Sequence, residues 1–194
     1  MRSSIRDDIL EVAGGLFYRE GIRAVGIDRI IAKAEVAKAT LYRHFPSKEH
    51  LVAAYLADRH ERVIASLEEA LTAAPSPREQ IRIIFERLHE KADSPEFRGC
   101  AFALAVAEHG DSEPVVTIAR QHKRAVRDIF ARILRSAGLA PADNTSGPVA
   151  HLALLYEGAL ATVAVNRDAA AVLTARDSAL AVFDWSPTDT KELK

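Results

Sequence analysis

The stretch GIRAVGIDRIIAKAEVAKATLYRHFPSKEHLVAAYL, residues 21–56, decides how this chain is organised. Ile27, Ile30, Ile31 and Ala34 recur at helical spacing between Gly26 and Glu35, and Leu41 and Phe45 recur four apart beyond them. This predicts two short helices, about 27–34 and 38–45, joined by a turn of three to four residues. With Val36 and Leu41 continuing the apolar set, both helices bury one face and pack across each other at a steep angle. The second helix then projects from the surface, carrying Lys38, Thr40, Tyr42, Arg43 and His44 outward. A helix so placed fits the major groove of double-stranded DNA, and these side chains supply donors for phosphates and base acceptors. Lys48 falls in the first turn of the next helix, where the macrodipole disfavours a cation. A phosphate contact accounts for its position, because a helix N-terminus attracts the same anion.

The run Thr40-Leu41-Tyr42-Arg43-His44-Phe45-Pro46-Ser47-Lys48-Glu49 resembles the N-terminal signature of the tetracycline-repressor (TetR) family. The resemblance implies phosphate contacts for Tyr42, His44 and Lys48, with Lys38, Ala39, Thr40 and Arg43 near bases or backbone. It implies a homodimer reading a palindromic operator, with a C-terminal ligand-binding and dimerisation domain. The chain is therefore expected to be a ligand-responsive transcriptional regulator, a repressor released by a small-molecule effector. Three positions depart from the family pattern. Glu35 stands where the turn usually has glycine, so a residue with a Cβ must take a left-handed conformation or the turn must shift. Ala37 replaces the usual Ser or Thr cap of the second helix, which gives up about 0.5–2 kcal/mol. Ala39 replaces a frequent glycine, and methyl groups at 37 and 39 suit contact with a thymine methyl.

Working outward, helical punctuation dominates. Ser4 with Asp7 forms a capping box for a helix that Gly21 stops, with Ile5, Ile9, Val12, Ala13, Leu16 and Phe17 on one face. Ser47 caps a long helix to about Ala73. Ser76-Pro77 with Glu79 starts another, and Ser94-Pro95 repeats the device for a segment through Glu108. A helix from about Glu113 to Ala137, a breaker-rich loop at 138–148 and two helices, about 149–165 and 169–183, complete the chain. Asp168 caps the last helix, and the polar tail after Trp185 is expected to fray. The fold class is all-α, with about nine helices: a helix-turn-helix domain over 1–48 and a helical ligand-binding and dimerisation domain over 49–194.

The second domain yields weaker signals. Leu152, Leu155, Ala159 and Val163 on one helix and Val172, Leu173 and Leu180 on the next form stripes suited to a four-helix dimer interface. Small Gly158, Ala161 and Thr162 allow close approach. Cys100 and Phe102, with His109, His122, Tyr156 and Glu157, are candidates for an effector pocket, each also readable as ordinary core or surface. A redox role for Cys100 lacks a resolving cysteine within the chain.

Composition bounds the classes. The 194 residues carry a net charge of -1, yet residues 1–48 hold nine basic against six acidic residues while the remainder is net negative. A basic head on an acidic body fits a nucleic-acid reader. One cysteine excludes an internal disulfide and favours a reducing compartment, and no apolar run of about 18–20 residues or signal-peptide core is evident, so a cytoplasmic protein without membrane attachment is expected. The rival class is a helical-bundle metalloprotein or enzyme, since Glu86 and His89 have the Glu-x-x-His spacing of di-iron bundles. No second pair accompanies them, and phosphate loops and a nucleophile elbow are absent, so no cofactor, metal or catalytic residue is expected. A DNA-binding regulator without a ligand is the third reading.

Overall fold

The computed structural model describes residues 4–139 and 147–184. Among these, nine α-helices and no strand occur: α1 (Ile5–Glu20), α2 (Ile27–Ala34), α3 (Lys38–His44), α4 (Lys48–Ala73), α5 (Pro77–Ala92), α6 (Ala101–His109), α7 (Glu113–Ser136), α8 (Gly147–Asn166) and α9 (Ala170–Leu180). A short 3-10 turn, Ala181–Asp184, follows α9.

The starts follow from side-chain caps that satisfy amides the helix leaves unpaired. Ser4 Oγ accepts from Asp7 N while the Asp7 carboxylate accepts from Ser4 N, a reciprocal box. Ser47 Oγ accepts from His50 N, and Ser76 Oγ accepts from Glu79 N with Pro77 in the first turn of α5. Asp168 Oδ1 accepts from Ala170 N at the head of α9. Gly21 ends α1 at φ 92°.

The segment after Ser94-Pro95 corrects the sequence reading, since α6 begins only at Ala101. Tertiary packing overrides the local start signal there. Phe97 is buried, its carbonyl accepts from the Arg167 guanidinium, and Gly99 adopts φ 86°. A Cβ at Gly99 would lie 2.9 Å from Ala164 Cβ and 3.1 Å from the Leu160 carbonyl oxygen, so the chain passes too close to α8 for a side chain. The loop expected at 138–148 lies mostly, and the tail after Trp185 wholly, outside the described residues.

The chain forms two compact units, residues 4–63 with 100–123, and residues 64–99 with the described residues from 124 onward. The unit holding the helix-turn-helix thus extends past residue 48 and includes α6. Its core joins Ile9, Leu16 and Phe17 of α1, Ile30 of α2, Leu41 and Phe45 around α3, Leu51 and Tyr55 of α4, and Phe102 and Ala105 of α6. In the second unit α5, α8 and α9 pack together, and Tyr156 stands edge-on to both Phe85 and Phe130.

α8 departs from the expectation that no segment is long and apolar enough to cross a membrane. An 18-residue window within its 20 residues has a mean hydropathy of 1.5 and meets that test by length and composition alone. Val149, Leu152, Ala153, Tyr156, Ala159 and Val163 are buried within the chain, as in a core helix.

The first unit also encloses a polar pair. His122 of α7 is 5% exposed, stacks on Phe102 at 3.7 Å between ring centroids, and its Nδ1 lies 3.2 Å from Nδ1 of His60 on α4. Burial, followed by His60, Lys123 and Arg59, pushes the His122 imidazole down to about 3. An unfolded histidine titrates near 6.5, so between those values the unfolded chain binds a proton that the folded chain refuses. The stabilising contribution is complete above about pH 6.5 and is lost as pH falls towards 3. Thermal melts from pH 7 to pH 4 should show the midpoint of the wild-type protein falling more steeply than that of His122→Phe. Parallel slopes would refute this account of the pair.

Candidate nucleic-acid interface

α2 and α3 have only eight and seven residues, and each is held by what it buries. Ile30 and Leu41 are fully buried and Phe45 is 2% exposed, so the inner faces of both helices belong to the core of the first unit. Between them Glu35 takes φ 53°, ψ 39°, the left-handed conformation that its departure from glycine required, and its N–H donates to Ile31 O. Ala37 is extended and heads α3 without a side-chain cap, as its sequence implied.

This anchoring turns the other face of α3 outward. Lys38, Ala39, Tyr42 and Arg43 are exposed, and Thr40 and His44 are half-buried beside them. Tyr42 is 40% exposed, a high value for a large ring on a helix of this length. Lys38 Nζ sits 3.2 Å from Asp28 Oδ1, and both side chains are largely in solvent. A pair so exposed contributes about 0–1 kcal/mol, so its ammonium is easily ceded to a phosphate. Lys48 opens α4, half-buried; burial lowers its pKa, and the Glu108 carboxylate works in the opposite sense. The seven residues expected at DNA therefore lie on α3 and the first residue of α4.

Sequence reasoning missed Glu108. Its two carboxylate oxygens accept from the backbone N–H groups of Ile22, at 3.1 Å, and Arg23, at 2.7 Å, in the connection between α1 and α2. The residues are 86 and 85 apart in the chain, a separation no local pattern reports.

The effector candidates do not form one group. Cys100 precedes α6, half-buried, with Lys123 Nζ 3.5 Å from its Sγ, and it lies in the same unit as the stacked Phe102 and His122. His109, also in that unit, lines a cavity of about 290 Å³ with Lys48, Glu49, Val52 and Ser112, and its buried Nε2 has no hydrogen-bond partner among the described residues. Tyr156 and Glu157 belong to the second unit, where a cavity of about 300 Å³ is lined by Phe97, Val163 and Arg167. Of the residues expected to face a second subunit, Leu152, Ala159, Val163 and Val172 are buried inside the chain itself, while Leu155, Leu173 and Leu180 are partly exposed. α8 is apolar on every side, so its pattern could not tell the inward face from the outward one. Glu86 is engaged by Arg82 and Arg176, and among the described residues no three His, Cys, Asp or Glu side chains are grouped to hold a metal.

With this geometry in hand, comparison with known proteins is informative. Residues 9–55 match the family described as bacterial regulatory proteins, tetR family. The crystal structure of SCO4454, a TetR-family transcriptional regulator from Streptomyces coelicolor, is 34% identical, covers 93% of this chain and 94% of its own, and superposes with a TM-score of 0.84. The HTH-type regulator YxaF of Bacillus subtilis is 26% identical over 86% of this chain and 88% of its own length. The repressor KstR of Mycolicibacterium smegmatis is 32% identical over 43% of this chain and 41% of its own, a match confined to part of each protein.

The uncapped start of α3 gives a stability prediction. Ala37→Ser supplies a side-chain acceptor for the first-turn amides of Ala39 and Thr40, the latter now donating to the Ala37 carbonyl at 2.9 Å, and should add about 1 kcal/mol. For a chain of this size that raises the melting midpoint by about 2–4 °C, measurable by calorimetry. An unchanged midpoint would show that the present partners of those amides, the Ala37 carbonyl and solvent, serve equally well.

Proposed function

Because the chain belongs to the TetR family of bacterial regulatory proteins, we propose that it acts as a homodimer that reads a palindromic operator and is released by a small-molecule effector. It is a DNA-binding transcriptional regulator and not an enzyme. The observation that carries the proposal is the outward presentation of α3, with Tyr42 and Arg43 exposed over a buried Leu41.

Residues 1–48 read DNA in this scheme, and residues 49–194 pair and sense. Tyr42, His44 and Lys48 bind phosphates and fix the register, while Lys38, Ala39, Thr40 and Arg43 lie against bases or backbone. In a dimer the two α3 helices enter successive major grooves about 34–36 Å apart. Support for pairing comes from α8, where Leu154 is 71% and Val165 81% exposed. Exposed Gly158 and Ala161 lie between them at helical spacing, a smooth apolar stripe suited to the same helix of a second copy. Leu155, Leu173 and Leu180, partly exposed, are proposed to join this contact, and the inward residues hold α8 against α5 and α9.

Among relatives, KstR is named a repressor and FasR of M. smegmatis an activator. We adopt repression with release, in which an effector bound in the C-terminal part lowers operator affinity, and the operator lowers effector affinity by the same factor.

Selecting bound duplexes from a random pool should recover a palindrome, and a non-palindromic consensus would overturn the dimeric reading. Against the recovered duplex, Lys48→Ala and Tyr42→Phe should weaken all sequences alike, Lys48→Ala reducing the salt slope by about 1. Arg43→Ala should instead relax base preference. For the interface, Leu154→Asp with Val165→Asp should leave a folded monomer by light scattering, whereas a persistent dimer would place the contact elsewhere.

A further inference from the structure

Three hydrogen bonds at the corner between α6 and α7 grip the helix-turn-helix at its two chain ends. On the entering side, Glu108, the penultimate residue of α6, accepts from Ile22 N and Arg23 N with separate carboxylate oxygens. On the leaving side, Ser112 Oγ donates to Glu49 Oε1 at 2.6 Å, in the first turn of α4.

The entering grip is built into the backbone. Gly21 at φ 92° turns the chain so that the next two amides point the same way, and a Cβ there would lie 3.1 and 3.3 Å from the Glu108 oxygens. Glycine thus serves both the turn and the approach of the carboxylate. Deeper in the unit, α6 is held by apolar contact through Ala101, Phe102 and Ala105. Apolar contact is non-directional and tolerates sliding, whereas a carboxylate bonded to two successive amides fixes both distance and rotation. From Arg23 the chain runs three residues to Gly26, which heads α2 without a side-chain cap. The entry angle of α2, and with it that of α3, therefore depends on where the 22–23 amides are held.

We propose that Glu108 is a positioning residue for sequence reading: captured by the Ile22 and Arg23 amides, its carboxylate sets the orientation in which α2 and α3 meet DNA, while touching no DNA itself. This rests on the DNA-reading role of α3. A residue that only stabilises the fold would, when replaced, leave the remaining folded protein as selective as before. A positioning residue would cost selectivity, because base contacts need α3 placed more accurately than phosphate contacts do.

The test uses the full chain, with the duplex selected by the wild-type protein and a random-sequence duplex of equal length, at a temperature where melts show every variant folded. Glu108→Gln keeps the shape but turns an amide NH2 toward a backbone donor, and Glu108→Ala removes the group. Each should weaken the selected duplex by about tenfold while weakening the random one by less than about twofold. Equal weakening of both duplexes, or none, overturns the proposal. Should Glu108→Ala fail to fold, Glu108→Gln decides by the same ratio. A wild-type protein that selects no duplex overturns the DNA-reading role itself. Amide exchange then decides for Glu108: faster exchange at Ile22, Arg23 and along α2 in Glu108→Gln supports positioning, and unchanged protection there overturns it.

Discussion

A helix of seven residues does not hold its shape in water, because nucleation costs more than so few hydrogen bonds return. α3 exists because Leu41 and Phe45 are pulled into a core shared with α1, α2 and α4. That burial also decides function. Once Leu41 points inward, helical periodicity leaves Lys38, Tyr42 and Arg43 no direction but outward. The head of the protein is thus a thin outer layer held by its inner neighbours, and its chemistry depends on packing that never meets DNA.

The same dependence explains the tolerance of two unfavourable residues. Glu35 sits in a conformation that costs most side chains about 1–2 kcal/mol, and α3 starts without a side-chain cap. Neither loosens the turn, because Ile30 before it and Leu41 after it are both fully buried. Local irregularity is carried by tertiary contact.

Much of this was legible in sequence. Caps at Ser4 and Ser76, the stop at Gly21 and the spacing of Ile27 to Leu41 act over three or four residues, so α1, α2, α3 and α5 begin close to where they were expected. The match of residues 40–49 to a family pattern puts the residues expected at DNA on α3 and the first residue of α4. What failed was long-range. Ser94-Pro95 has the local form of a helix start, but Arg167 and the close pass of Gly99 over α8 keep the following residues out of a helix until Ala101. The stripes chosen on α8 and α9 mixed inward and outward residues, because a helix apolar all round has no periodic signal to separate them. Glu108 looked like any exposed-face glutamate, since its partners are backbone amides more than eighty residues away.

The pair of imidazoles between α4 and α7 has a consequence of a different kind. With Nδ1 facing Nδ1 at 3.2 Å, one nitrogen must carry the hydrogen and the other must offer its lone pair, so the two rings differ at Nδ1. One proton is shared by two helices that are far apart in sequence. Nitrogen resonances of histidine distinguish the tautomers, so the protein carries an unlabelled internal gauge of how α4 and α7 lie against each other. An event that parts the helices breaks this bond and leaves each Nδ1 without the other, a local change that those resonances report.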